Sequence, residues 1–315
     1  MAVSKQKQTT SSDYARLLRL ATYASVTVAL ILIGAKFAAW VMTESVSLLS
    51  TLIDSLLDVG ASLVNLFAVR QALQPPDAHH RFGHGKAEPL AGLGQAAFIT
   101  GSAVFLLIQA GERLLHPRSV VNIDIGIAVM IFGIVVTVAL VAFQKYVISK
   151  TDSIAIKGDS AHYQMDILVN AGVLIALLLT AQFGWEYVDP LFAIGISIYI
   201  VWGAWKIGIQ ALNLLMDHEL PQEDRDKIRS IVISHPGVRS VHDMRTRSSG
   251  AQSFIQFHLE MDGNMTLFDA HTISDQVEAE LLRAFPNAEI IIHEDPEGLD
   301  EQHPEMAYKR FSSNA

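Results

Sequence analysis

The chain has 315 residues, half of them hydrophobic and only 17% charged, which is too apolar for an ordinary water-soluble domain of this size. Its formal charge is −9, and residues 219–315 hold 18 acids against 9 bases while residues 1–218 hold 14 of each, so the whole imbalance lies in the last third. The absence of cysteine excludes a disulfide framework and thiolate metal sites, and no basic stripe with interleaved aromatics points to nucleic acid.

Residues 1–16 read as a polar N-terminal cytoplasmic segment. Six apolar stretches follow, each long enough to cross a bilayer as a helix: about 17–42, 46–72, 89–115, 123–148, 154–183 and 188–216. The first is too long for a signal peptide and has no small-residue cleavage site. Lys5, Lys7, Arg16 and Arg19 precede it. Arg70, Arg81 and Lys86 surround the second-to-third connection, and Lys145, Lys150 and Lys157 flank the fourth-to-fifth. The opposite connections carry only Arg113 and Arg118, so the positive-inside rule puts both termini in the cytoplasm. Residues 17–218 thus form a six-helix transmembrane domain.

The charge break near Pro221 opens a second domain, 219–296. Its pattern reads helix 223–234, strand 238–247, strand 254–261, helix 267–284 and strand 289–293, a small cytoplasmic αββαβ domain of metallochaperone-like type. Residues 297–315 are polar and acidic and read as a disordered tail.

Helix two carries Asp54 and Asp58 in an apolar run, four residues apart and hence on one face, one turn from each other. Helix five repeats the spacing with His162 and Asp166. Ionisable residues within a membrane are costly, and two facing pairs make one four-coordinate pocket. Three carboxylates and a neutral imidazole suit Zn²⁺, with Fe²⁺, Cd²⁺, Co²⁺ or Mn²⁺ also accommodated. Lys36 stands alone in helix one and reads as a snorkelling lysine. The connection 77–84 packs Asp77, His79, His80 and His84 into eight residues, a metal-binding tract or a solvated polar loop. In the tail, His242, His258, His293 and Asp295 lie on three strands that place them on one sheet. His271 lies near the start of a helix and must enter from the side or from a partner chain. His116, His218, His235 and His303 have no such company and read as structural.

Together, Ser47-Leu48-Leu49 with Asp54-Ser55-Leu56-Leu57-Asp58, Arg81-Phe82-Gly83-His84-Gly85-Lys86-Ala87-Glu88, His162 with Asp166, Val241-His242-Asp243 and Ile292-His293-Glu294-Asp295-Pro296 resemble the cation diffusion facilitators, in their bacterial zinc and ferrous-iron efflux branch. The resemblance runs from about residue 14 to 296. It implies a homodimeric proton antiporter of the inner membrane, not an enzyme, that exports Zn²⁺, with Cd²⁺ and Fe²⁺ as further cargo, and that also holds Zn²⁺ structurally. It assigns the transport site to Asp54, Asp58, His162 and Asp166. A loop site falls to Asp77, His80 and His84. A binuclear cytoplasmic site falls to His242, His258, His271, His293 and Asp295, and a dimer charge interlock to Lys86 and Asp217. His79 has no assigned part. A metal-gated channel or sensor is the competing reading. An intramembrane hydrolase is weaker, because four protein ligands leave no position for water and no H-E-x-x-H is present.

Overall fold

The computed structural model describes residues 11–43, 46–115, 124–183 and 187–298, with a few side chains inside the helices, Asp54 and Arg113 among them, left undescribed. Expectations resting on Lys5, Lys7, His116, Arg118, His303 or the tail 299–315 lie outside these residues.

Eleven elements are described: α1 (Ser11–Thr43), α2 (Val46–Ala72), α3 (Ala87–Leu115), α4 (Asp124–Thr151), α5 (Ile154–Phe183), α6 (Val188–Leu215), α7 (Gln222–Ser234), β1 (Ser240–Ser249), β2 (Gln252–Met261), α8 (Leu267–Ala284) and β3 (Ala288–Pro296). Helix α1 begins six residues before the apolar run does. The reason is tertiary: Tyr14 and Leu18, four apart, are both buried, and Tyr14 Oη donates to Glu88 Oε2 of α3 at 2.7 Å.

The chain divides into two compact units, 1–217 with 249–251 and 218–248 with 252–315. In the first, α3 packs most extensively on α6, α1 on α2 and α4, and α5 on α3, α4 and α6. Small residues at the contacts, such as Ala21, Ala91, Ala155 and Ala204, let these helices approach closely. Large apolar side chains meanwhile point outward: Phe105, Ile108, Ile198, Tyr199, Trp202 and Trp205 are each more than half exposed. A band of this kind is costly in water and natural against lipid. Among the described residues four segments are long and apolar enough to cross a membrane, Ser12–Met42, Ala87–Glu112, Ile127–Thr151 and Pro190–Leu215. Helices α2 and α5 have the length, roughly 40 and 45 Å at 1.5 Å per residue, but carry the polar residues described below.

The second unit is a three-stranded sheet in the order β1-β2-β3 with α7 and α8 against one face. Strands β2 and β3 are parallel, joined through α8, with His258 opposite His293 and Glu260 opposite Asp295. Ile255, Phe257, Leu259 and Met261 alternate into a core with Ile228, Val232, Val277 and Leu281, so the even-numbered residues of β2 face away from the helices. Thr266 caps α8 by accepting from the Asp269 amide.

Candidate metal centres

Helices α2 and α5 bring one cluster together. His162 is 1% exposed, with Nε2 3.1 Å from Asp58 Oδ1 and 3.9 Å from Asp166 Oδ2, and one ligand atom from each of the three lies within 4.8 Å of the others. Asp54 lies one turn earlier on α2, and its side chain is not described. The His162 ring is held edge-on to Phe98 at 5.4 Å and Tyr163 at 5.5 Å between centroids, while its Nδ1 is buried without a hydrogen-bond partner. Such a nitrogen is the kind of atom that calls for a ligand, a proton or a water. Tyr163 fixes the neighbouring turn, donating to the Ser25 carbonyl at 3.1 Å and sharing a 2.9 Å hydrogen bond with Ser62, one turn below Asp58.

Two further buried carboxylates of the helical unit were not singled out in the sequence. Asp159, three residues before His162, accepts from Ser25 Oγ at 2.5 Å and Gln144 Nε2 at 2.8 Å and so ties α5 to α1 and α4. Glu88 accepts from Tyr14 and from the Ile154 amide at 3.0 Å, which sets an anion at the amino end of α5, where the helix dipole favours one. Both announce themselves as ionisable residues in apolar helices; their partners lie 15 to 134 positions away in the chain and leave no local signal.

Lys36 does not stand alone: its Nζ donates to Ser55 Oγ at 2.6 Å and to the Thr51 carbonyl at 3.3 Å on α2.

A second cluster sits between α2 and α3. Asp77 Oδ1 accepts from the amides of His79 and His80 at 2.8 and 2.6 Å, and those two amides, His80's foremost, hold its carboxyl below the ordinary aspartate range. Gly83, at φ +75°, takes a left-handed turn that a Cβ would oppose, and the chain reverses so that His84 Nε2 comes 3.4 Å from Asp77 Oδ2. His80 Nδ1 is 3.3 Å from the other oxygen. His79 contributes its amide to the turn that holds Asp77. Lys86, just beyond, pairs with Asp217 at 2.9 Å within the chain and donates to the Leu215 carbonyl at the end of α6.

The third cluster lies on the face of the tail sheet away from the helices. Asp295 is 5% exposed and has imidazoles near both oxygens: Oδ2 is 2.8 Å from His258 Nδ1 and 3.3 Å from His242 Nε2, and Oδ1 is 3.2 Å from His293 Nε2. His242, His258 and Asp295 each offer an atom within 4.8 Å of the others, a two-nitrogen, one-oxygen set suited to a borderline ion such as Zn²⁺. Asp243, at φ +46°, shifts the alternation of β1, so that Val241 and Met244 both join the core. His242, next to the core residue Val241, falls on the opposite face by ordinary strand alternation. Glu260 stays below the usual carboxylate range, chiefly through the Ser240 hydroxyl and then the Gly298 amide.

His271 does not join this cluster within one chain. It lies 4.0 Å from Glu294 and 3.8 Å from Asp275, and Glu294 accepts from Ser274 of α8, on the helix side of the sheet. Glu294 is a partner that strand periodicity could have supplied, since it alternates with His293 and Asp295.

These three clusters fall in a chain whose residues 22–216 match the family model described as the cation efflux transmembrane domain and whose residues 220–297 match the cation efflux protein cytoplasmic domain. The chain belongs to the cation efflux family. It is 46% identical over 289 residues to the cation-efflux pump FieF of Klebsiella pneumoniae, covering 92% of this chain and 96% of that one. Over 286 residues it is 46% identical to the FieF pump of Escherichia coli strain K12 / DH10B, at 91% and 95% coverage. Among solved structures, the metal-bound C-terminal domain of the CzcD transporter from Thermotoga maritima is 29% identical, covering 26% of this chain and 100% of that one with a TM-score of 0.25.

Proposed function

We propose that this member of the family exports Zn²⁺, with Cd²⁺ and Fe²⁺ as further cargo, across the bacterial inner membrane in exchange for protons. The observation that carries the reading is the meeting of Asp58, His162 and Asp166 from two long helices around a buried imidazole whose Nε2 faces both carboxylates. In this reading α2 and α5 complete a six-span bundle, because their polar residues face neighbouring helices rather than lipid. Asp54 is the fourth ligand. Residues 17–218 are the transport domain, 219–296 the cytoplasmic domain, and both termini are cytoplasmic.

Ligation requires ionised carboxylates and a neutral imidazole, so metal and protons compete for the same lone pairs. Asp58 and Asp166 take the ion on the cytoplasmic side; after its release outward they and His162 accept protons, which lowers the cost of returning the empty site through a low-dielectric bundle. The loop trio Asp77, His80 and His84 forms a second metal site. In the tail, Asp295 holds Zn²⁺ with His242 and His258 on one oxygen, and its other oxygen serves a second ion with His293 and with His271 supplied across a homodimer. Bound metal there supplies cross-linking charge, and Lys86 and Asp217 secure the membrane end of the dimer. A passive metal-gated channel would share the ligands but not the proton coupling. Zinc flux into proteoliposomes separates the two: uptake that quickens with an acidic lumen supports antiport, and uptake indifferent to the pH gradient overturns it.

A further inference from the structure

Lys36 lies within Ser12–Met42, one of the segments apolar enough to span a membrane. A lysine there ordinarily leads its stem to the nearest interface and keeps its ammonium wet. Here the ammonium is engaged by α2, through Ser55 Oγ at 2.6 Å and the Thr51 carbonyl at 3.3 Å. Ser55 is 2% exposed, and Thr51, Ser55, Asp58 and Ser62 recur at intervals of four, three and four, which makes one stripe of the helix. Ser55 and Asp58 are therefore about 4.5 Å apart along the axis, so the ammonium stands roughly one turn from the ligand cluster. Both of these acceptors are neutral. They hold the ammonium in place by hydrogen bonding rather than by opposite charge, and its positive charge acts on every cation nearby.

We propose that Lys36 is an affinity-setting residue of the transport site: its positive charge keeps the carboxylate cluster from holding a divalent ion too tightly to release it. The inference rests on the transport-site reading above. Three carboxylates around one divalent ion leave the loaded site at −1, and the ammonium brings the local total to zero. A carrier needs a site that loads at cytoplasmic concentrations and still empties on the far side, and a fixed positive charge beside the ligands weakens binding without removing a ligand.

Zinc transport by the full-length protein in proteoliposomes tests this, read as KM and kcat for the wild type, Lys36→Met, Lys36→Arg and Ser55→Ala. Lys36→Met should lower KM about tenfold and lower kcat with it, the pattern of a ground state bound too well. Lys36→Arg keeps the charge and should keep the wild-type KM. Ser55→Ala removes the hydrogen bond, leaves the charge, and should stay within about twofold. An unchanged or raised KM in Lys36→Met, or an equal shift in Ser55→Ala, overturns the proposal, since either outcome makes the lysine a packing group. Should Lys36→Met fail to fold, Lys36→Gln supplies the same readout with a polar neutral side chain. Asp58→Ala in the same vesicles keeps the two readings apart. A dead Asp58→Ala beside an unchanged Lys36→Met removes only the role of Lys36, whereas wild-type flux in Asp58→Ala removes the site itself.

Discussion

In the helical bundle, His162 is 1% exposed and its ligand partners come from two helices joined through side chains, whereas on the tail sheet His293 is 62% exposed and faces His258 across a backbone hydrogen-bonded ladder. The donors are the same imidazoles and carboxylates. What differs is the freedom of the frame. Packed helices can shift by an ångström or two without breaking backbone hydrogen bonds, so a site split between α2 and α5 can open and close. Strands in register cannot slip without turning every side chain to the other face, so His258, His293 and Asp295 keep their spacing. The first arrangement suits an ion that must be released, the second an ion that is retained.

The sharpest way to break that contrast is Asp58→Ala. Loss of a ligand's hydrogen-bonded support alone typically costs 10–100-fold in metal affinity, so loss of a ligand should reduce zinc flux on the order of 100-fold or more. Tail metal binding, measured by calorimetry on the same full-length variant, should be untouched.

The reciprocal change, Asp295→Asn, weakens the group on which three imidazoles converge. Tail affinity should fall about 100-fold, which at a fixed zinc concentration removes roughly 2.7 kcal/mol of metal-dependent stabilisation. Differential scanning with and without Zn²⁺ reads this directly, and the zinc KM of transport should move far less. His242→Ala with His293→Ala should act in the same direction.

A subtler effect follows from His162→Asp, which exchanges the borderline nitrogen donor for a hard oxygen. Preference should move toward Mn²⁺ by about tenfold relative to Zn²⁺ in a two-metal competition, following ligand softness. Wild-type protein that already carries Mn²⁺ faster than Zn²⁺ would contradict the role given to the imidazole.

The smallest effect concerns the exposed loop. Two amide donors favour ionised Asp77, so its folded pKa is depressed. Its contribution to loop order is present above the unfolded pKa and is lost as pH falls through the lower folded value. In metal-free protein the Asp77 carboxyl carbon should titrate by NMR below the roughly 3.9 of a free aspartate. A midpoint at or above that figure would mean the two amides do not hold it.

Much of this was legible because helical and strand periodicity are local. Asp54 with Asp58 and His162 with Asp166 each recur at i, i+4 in apolar runs, and the order helix-strand-strand-helix-strand of the tail follows from short β-rich runs between turns. Relations between elements were less legible. Spacing cannot say that Lys36 reaches Ser55, that Asp159 joins Ser25 and Gln144, or that His271 lies beside Glu294 on the helix side of the sheet, because helix rotation and sheet facing are fixed by packing across distant sequence. The left-handed Asp243 that shifts β1 is also silent in sequence, since Asp adopts that conformation only where the surrounding fold demands it.

If one buried cluster moves metal one way and protons the other, both fluxes appear together in the same vesicles. Proteoliposomes with an acidic lumen, carrying a zinc dye and a pH dye, should show zinc entry and lumenal alkalinisation together in the wild type and neither above the protein-free rate in Asp58→Ala. Zinc entry without alkalinisation, or both fluxes persisting in Asp58→Ala, would contradict the account.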